Sequence, residues 1–571
     1  MKNVFIAIGG SGTKVAEALV KLITAGFPTK TDDNGIVTSA GDSLTIWRVD
    51  PDRNSGAAED LKLALDNYRV LQGCLSDGDF ARKMAMSRWG MDILSEAIHL
   101  DPLDLPEWKG NNPLDNKTKT LKGILDSNYG HNRSSIDFLN LLYSNKELNV
   151  PIDRGFYQRP FIGSAIMAIF AQSLIQDASI AGEKAKLNSY KNTKTRFFLC
   201  GSLHGGTGAC GVSVIAQFLK EIKNEDGGGN DWTIGGCFLA PYFIPPDPPA
   251  EKLDESEEID DVKIKELIKA KANHPAFANL TPEQKESLAK QILEGFYADT
   301  EGMILRARHG LDYYNQLEAA DKPFDELYLV GKSAPNKLVN WSNGGASQRN
   351  PLNSAEVVAA ISALNFFADN KTGDNESYVL ASSDREVESD NMYLYDLPIY
   401  DVNKVKPIDP EKVLLATSLL NHLVLHHIPW EKMREAKGTM PFCKKYDGKT
   451  DAQINTDLDY YKRAFRNISW AVESLFIPHT ESQPSGWHPE VSSNITNYFS
   501  PNAQSVENIK SRLEKKTFWG EDKGPNILGQ SKVKFTSFDF SQWCPGGDFT
   551  PGEYLRFVWN EVFQKCKDRV D

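Results

Sequence analysis

Short apolar runs followed by segments of helical spacing recur along the first two-thirds of the chain. Asn3-Val-Phe-Ile-Ala-Ile8 reads as a strand, and Val15, Leu19, Leu22 and Ile23 then fall on one face of a helix over Lys14–Ile23. Ser43–Val49 is a second strand. Phe197–Cys200 is a third, followed by Val212, Ile215, Leu219 and Ile222 at helical spacing. Trp232–Ala240 and Phe324–Val330 repeat the strand pattern. Phe161–Ile175 reads as a buried helix, too short and too interrupted by Gly, Ser and Gln to cross a bilayer. Ser354–Phe367 is apolar nearly all round, which predicts a central helix. Strands alternating with helices predict an α/β fold with a parallel sheet.

The turns between these elements carry the candidate chemistry. Gly9-Gly10-Ser11-Gly12-Thr13 follows the first strand, and His204-Gly205-Gly206-Thr207-Gly208-Ala209 follows the Phe197–Cys200 strand. Glycines let a backbone approach a ligand closely, and a helix N-terminus behind them offers unpaired N–H groups and a positive dipole end. Together these make an anion site, most often for phosphate. The alternative is a tight strand-to-helix turn with no ligand. Two familiar phosphate motifs are absent from the first turn. A P-loop needs GxxxxGK[ST], but Lys14 follows Thr13 and precedes Val15. A dinucleotide fingerprint needs a third small residue where Val15 stands. A third loop, Asp153 to Gly163, holds Gly155, Arg159 and Gly163. Arg159 at a helix entrance suits a phosphate, or else a surface carboxylate. Parallel sheets bind ligands at the C-terminal ends of their strands, where all three loops fall.

Composition narrows the class. The 571 residues are 40% hydrophobic and 25% charged, an ordinary globular balance. A net charge of −13 speaks against bulk nucleic-acid binding. Seven cysteines without a CxxC predict neither a disulfide framework nor a zinc ribbon, and fit a reducing cytoplasm. No charged-then-apolar leader opens the chain, so direct membrane insertion is not expected.

Gly205-Gly-Thr-Gly-Ala209 closely resembles the phosphate loop of the tubulin/FtsZ superfamily, written GGGTGSG or GGGTGTG. His204 stands at the first glycine of that pattern and Cys210 at the last. Gly9 to Gly12 matches the first part of the superfamily's opening loop, near GxGGxGxN, while Lys14 or Glu17 stands near its purine-contacting Asn. The resemblance implies a GTP-binding domain over about residues 1–350, with helical insertions at about 60–150 and 250–322. A central helix over 351–370 and a second α/β domain over 371–571 would follow. It implies GTP or GDP and Mg²⁺ as ligands, and a homo-oligomer or filament as the assembly.

The resemblance also implies further site residues. Asp50, closing the second strand in Asp50-Pro-Asp52, stands where an acid serves ribose or magnesium; a turn-forming Asp-Pro reads equally well. Asp247, among four prolines, falls in the ribose loop. Asn336 matches a strand-end Asn, and Asn353 is placed to read guanine, with Asn350 and Glu356 as alternatives. Asn353 equally suits an N-cap. The acidic loop that enters the neighbouring subunit's site has candidates in Asp369, Asp374 and Glu376, without the GxxNxD motif.

Three readings follow: a filament-forming GTPase, a nucleotide-gated regulatory or antiviral-defence component that does not polymerise, and a dinucleotide-binding oxidoreductase, which the failed fingerprint disfavours. Beyond the central helix, Met392–Tyr400 reads as a strand, Pro410–Ile428 as a helix, and residues 554–563 as an amphipathic helix. His422 and His426 lie four apart with no third metal ligand in view.

Overall fold

The computed structural model describes residues 2–25, 43–75, 92–93, 98–103, 120–124, 133–153, 155–176, 187, 189–224, 231–244, 260–273, 277, 280–293, 302–318, 320–331, 335–338, 350–368, 376–381 and 448–476. The first unit is β1 (Lys2–Ile8), α1 (Gly9–Thr24), β2 (Ser43–Val49) and α2 (Gly56–Leu75). Two short strands follow, β3 (Asp92–Ile93) and β4 (Ile98–Leu100), then α3 (Arg133–Leu142), α4 (Asn145–Leu148) and α5 (Pro160–Gln176). Next come β5 (Thr195–Ser202), α6 (Thr207–Asn224), β6 (Trp232–Leu239) and β7 (Phe243–Ile244). Then follow α7 (Asp261–Ala270), α8 (Pro282–Leu293), α9 (Met303–Gln316), β8 (Glu326–Gly331) and β9 (Asn336–Lys337). The last described elements are α10 (Ser354–Ala368), β10 (Glu376–Ala381) and α11 (Asp451–Phe476).

Eight strands form one sheet in the order β10-β8-β6-β5-β1-β2-β3, with β4 also on β2, and every pairing is parallel. A parallel strand needs cover on both faces, so it reads as a continuous apolar run, as β1 and β5 do. Along β5 the pleat sends Phe197 and Leu199 into the core shared with α5 and α6. Phe198 points the other way, its ring 5.4 Å from Phe366 on α10 and 5.9 Å from Phe5. On that second face α1 packs on α2 and α10. Two crossovers diverge from the middle of the sheet: β1 leads through α1 to β2 on one side, and β5 leads through α6 to β6 on the other. The switch point lies between β1 and β5.

Two expectations about organisation meet the structure. The domain boundary was expected at 371, yet β10 pairs with β8 and α11 packs on α1 and α2. The described stretches beyond 371 therefore belong to this same layered body. The remainder of 371–571, including His422, His426 and the expected elements at 392–400, 410–428 and 554–563, lies outside the described residues. The charged insertion is helical as expected: α7 and α8 close a small core of Leu267, Phe277, Ala289 and Ile292. Among the described residues, no helix is long and apolar enough to cross a membrane.

Candidate functional site

The three glycine-bearing turns meet at the switch point. Gly9 has φ +72°, in the left-handed region, and a Cβ there would stand 3.1 Å from the Gly208 nitrogen and from Thr207 Cβ. The first turns of α1 and α6 thus lie against each other. A Cβ on Gly206 would stand 3.0 Å from Phe156 Cβ and 3.1 Å from the Gln158 nitrogen, so the third loop closes over the second. Gly12 and Gly208 hold α1 and α6 close to the sheet; a side chain would collide with the Cys200 carbonyl at one and the Ser202 backbone at the other.

The helices begin earlier than the hydrophobic pattern indicates. α1 starts at Gly9 rather than Lys14, and α6 at Thr207 rather than Val212. Gly10, Ser11, Gly12 and Thr13 are therefore the first turn of α1, and Gly208 and Ala209 belong to the first turn of α6. The loop proper is only Leu203–Gly206. Small residues hide a helix start because they carry no apolar face to count. The N-cap of α1, Ile8, provides no side-chain hydrogen bond, and Thr13 donates back to the Gly9 carbonyl at 2.9 Å. Gly10 is exposed, with nothing within 4 Å of where a Cβ would stand. Ser11, Gly205 and Ala209 are half-buried. Two helix N-termini thus converge beside open space.

Polar groups without partners gather at the same place. His204 is 2% exposed, its ring edge-on to Tyr242 at 5.6 Å and to Phe243 at 5.0 Å. Neither ring nitrogen makes a hydrogen bond of good geometry. Burial holds its pKa down at about 4, only partly offset by the nearby Leu239 carbonyl, so the imidazole is neutral. In the third loop, Tyr157 (φ +46°) and Gln158 (φ +58°) are consecutive left-handed residues, and Gln158 Oε1 is buried without a partner. Such backbone costs of order 1–3 kcal/mol per residue and concentrates at functional sites. Gly155 (φ +99°) faces Thr207 Oγ1, and Arg159 is half-buried beside them, its N–H bonded to the Phe156 carbonyl at 2.7 Å.

The remaining expected residues have more structural surroundings. Gly163 sits inside α5, where a Cβ would strike Cys210 Sγ and the Phe156 ring, so it serves helix packing. Asp50 is buried at the end of β2, 3.5 Å from Arg48, and accepts the Asp52 N–H at 3.1 Å. Burial raises its pKa to about 6 despite Arg48. Asn336 opens β9, paired with Phe243 of β7. Asn353 caps α10: its Oδ1 accepts the Ala355 N–H at 3.1 Å, while its own N–H donates to Glu356 Oε2 at 2.7 Å. Asp247, Asp369 and Asp374 lie outside the described residues. Glu376 opens β10 opposite Glu326, at the sheet edge away from the glycine turns.

Pattern reading missed Gln158 and Tyr242. Tyr242 reads as one more aromatic in Pro241-Tyr-Phe-Ile-Pro245, yet its hydroxyl donates to Glu356 Oε1 at 2.7 Å. Only the positive φ of Gln158 marks it out, and no sequence pattern carries that. Among the described residues no three His, Cys, Asp or Glu side chains converge on a metal position. Magnesium at this site would depend on ligand phosphates for most of its coordination.

This geometry defines an α/β protein with a parallel, Rossmann-like sheet and a candidate ligand site at its switch point. No family model, curated protein or solved structure matches the chain.

Proposed function

We propose that this chain binds a guanine nucleotide, GTP or GDP with Mg²⁺, at the switch point, as a tubulin/FtsZ-like protein of the cytoplasm. The observation that carries the reading is that the glycine-bearing starts of α1 and α6 lie against each other, with the strained third loop over the second and open space at Gly10. The phosphates would lie against the first turns of α1 and α6, where N–H groups and both helix dipoles favour negative charge. The unpartnered nitrogens of His204 and Oε1 of Gln158 offer hydrogen bonds to the ligand or to water it orders. The buried, unpaired thiols of Cys200, Cys210 and Cys237 suit a reducing compartment.

Guanine preference rests on the resemblance alone, since Asn353 is occupied as a cap. Denaturing the purified protein and chromatographing what it releases tests the reading, together with competition between GTP and ATP. Release of guanine nucleotide, or GTP outcompeting ATP, is expected; NAD or a flavin would favour an oxidoreductase, and equal competition would remove the guanine assignment.

Self-assembly with hydrolysis across a subunit contact is the second part of the proposal. Glu376 opens the edge strand β10, and with Asp369 and Asp374 it is the acid proposed to enter a neighbouring subunit's site in a head-to-tail arrangement.

A further inference from the structure

We infer that the contact between Arg48 and His99 is an acid-sensitive latch, which holds the short strand β4 on β2 while the imidazole is neutral and releases it when the imidazole takes up a proton. β4 pairs with β2 only through Trp47↔Ile98, Arg48↔His99 and Val49↔Leu100. Trp47, Val49, Ile98 and Leu100 turn into the core shared with α5 and α6, so the pleat sends Arg48 and His99 to the other face. There Arg48 Nη1 lies 2.8 Å from His99 Nδ1. Arg48 is buried, and its Nη2 donates to the Ser55 hydroxyl at 3.1 Å and to the Asp52 carbonyl, and lies 3.5 Å from Asp50. Ser55 in turn accepts the Ala58 N–H at 3.3 Å at the start of α2. A second tie joins the same two chain segments nearer the solvent: Arg53 Nε donates to Asp101 Oδ2 at 2.8 Å.

A guanidinium has donors and no acceptor. The Nδ1 that faces it must therefore accept, which puts the single proton of a neutral imidazole on Nε2. A proton on Nδ1 replaces that acceptor with a second donor aimed at a cation. Arg48 is held in place by Ser55, Asp52 and Asp50, so the imidazole is the partner that leaves, and β4 with it. His99 is half-buried, within reach of a proton from solvent. Among the described residues, the charged groups on the elements that meet here are Arg48 and Asp50 at the end of β2, Asp52 and Arg53 in the turn, Glu59 and Asp60 at the start of α2, and Asp101 after β4. Asp50 offers an imidazolium little compensation, since burial raises its carboxyl to about 6 and it takes up its own proton over the same range. Its Oδ1 already accepts the Asp52 N–H at 3.1 Å, and Asp101 is occupied by Arg53 and by the Leu103 N–H at 2.9 Å. Once released into water the imidazole titrates near its ordinary value of about 6.5, so each pH unit below that favours release by about tenfold. On its other side Val49 pairs with Ile8, directly before Gly9, so the latch lies one strand away from the first glycine turn.

The latch works with or without a nucleotide, so it is tested on the full chain with no ligand added. Hydrogen exchange is read by mass spectrometry at about pH 7.5 and about pH 5.5 for wild type, His99→Asn and Asp50→Asn, each rate divided by the intrinsic rate at that pH. Nitrogen-15 NMR of histidine-labelled protein reads the tautomer of His99 in parallel. In wild type, protection over 98–103 should fall by about tenfold on acidification, with β1 and β5 unchanged. His99→Asn keeps an acceptor for Arg48 that takes no proton, so it should hold its protection at both pH values. Asp50→Asn should respond as wild type does. At the higher pH the His99 proton should sit on Nε2. A wild type that does not respond, a response spread evenly over the sheet, or one that persists in His99→Asn overturns the latch. So does a response lost in Asp50→Asn, which would make Asp50 the sensor, or a proton on Nδ1 at the higher pH. If His99→Asn is unprotected even at the higher pH, the NMR decides: a His99 whose protonation accompanies the loss of protection over 98–103 supports the latch, and one that stays neutral through it overturns it.

Discussion

His204 and Asp50 are both fully buried titratable residues near the switch point, and they pull stability in opposite directions as pH changes. The His204 pKa is lowered to about 4, so between the unfolded value of about 6.5 and 4 the unfolded chain takes up a proton the folded one refuses. Its contribution to stability falls as pH drops through that window. The Asp50 pKa is raised to about 6, so there the folded chain holds the extra proton, and the contribution rises as pH drops from 6 toward 4. In the wild type these two contributions therefore offset each other across the window. Urea unfolding of His204→Gln across this window should show it gaining on the wild type by up to about 3 kcal/mol as pH falls, with Asp50→Asn losing ground by a similar amount. Two flat difference curves would contradict both assignments. At this scale the sequence showed the glycines and His204 plainly, because small residues between an apolar strand and a helix have few other uses. It could not show that Gly206 lies under Phe156 and Gln158, so that a bulky residue there disturbs a loop, whereas one at Gly10 meets only open space.

At the level of elements, β1, β2, β5, β6 and β8 were legible within a residue or two, since a buried parallel strand is apolar on both faces. The starts of α1 and α6 were not, because glycine and threonine in a first turn look like loop. β10 was hidden behind an Asn- and Asp-rich stretch of sequence, and α11 by its polar exposed face, with Asp451, Ala452 and Gln453 all open to solvent. The close approach of α1 to the sheet makes a sharp prediction. Gly12→Ala would press a methyl group against the Cys200 carbonyl, which is backbone and cannot swing aside. Overpacking of this kind costs about 1–3 kcal/mol, so the unfolding free energy should drop by that amount and the urea midpoint should fall with it. An unchanged midpoint would mean that α1 sits farther from β5 than described.

On the scale of the whole molecule, the strand order is what no local pattern could give. Only the pairing of β1 with both β2 and β5 brings turns almost 200 residues apart to one point. The edge strand β10 carries Glu376, and hydrolysis completed between subunits follows if it, Asp369 or Asp374 orients the attacking water. Phosphate release per molecule should then rise with protein concentration. Alanine at the responsible acid should stop turnover while leaving GTP affinity intact. A flat specific activity, indifferent to all three substitutions, would leave a nucleotide-gated switch instead. The proposed function depends on the open space at the switch point being a phosphate site, and one titration addresses that directly. GTP·Mg²⁺ is titrated calorimetrically into wild type and Gly10→Val, whose Cβ would have nothing within 4 Å and whose side chain would extend into the open space at the start of α1. The account predicts saturable binding by the wild type, weakened at least about tenfold in Gly10→Val, with both proteins melting alike without ligand. Equal affinity in the two proteins, or no binding by the wild type, would contradict it.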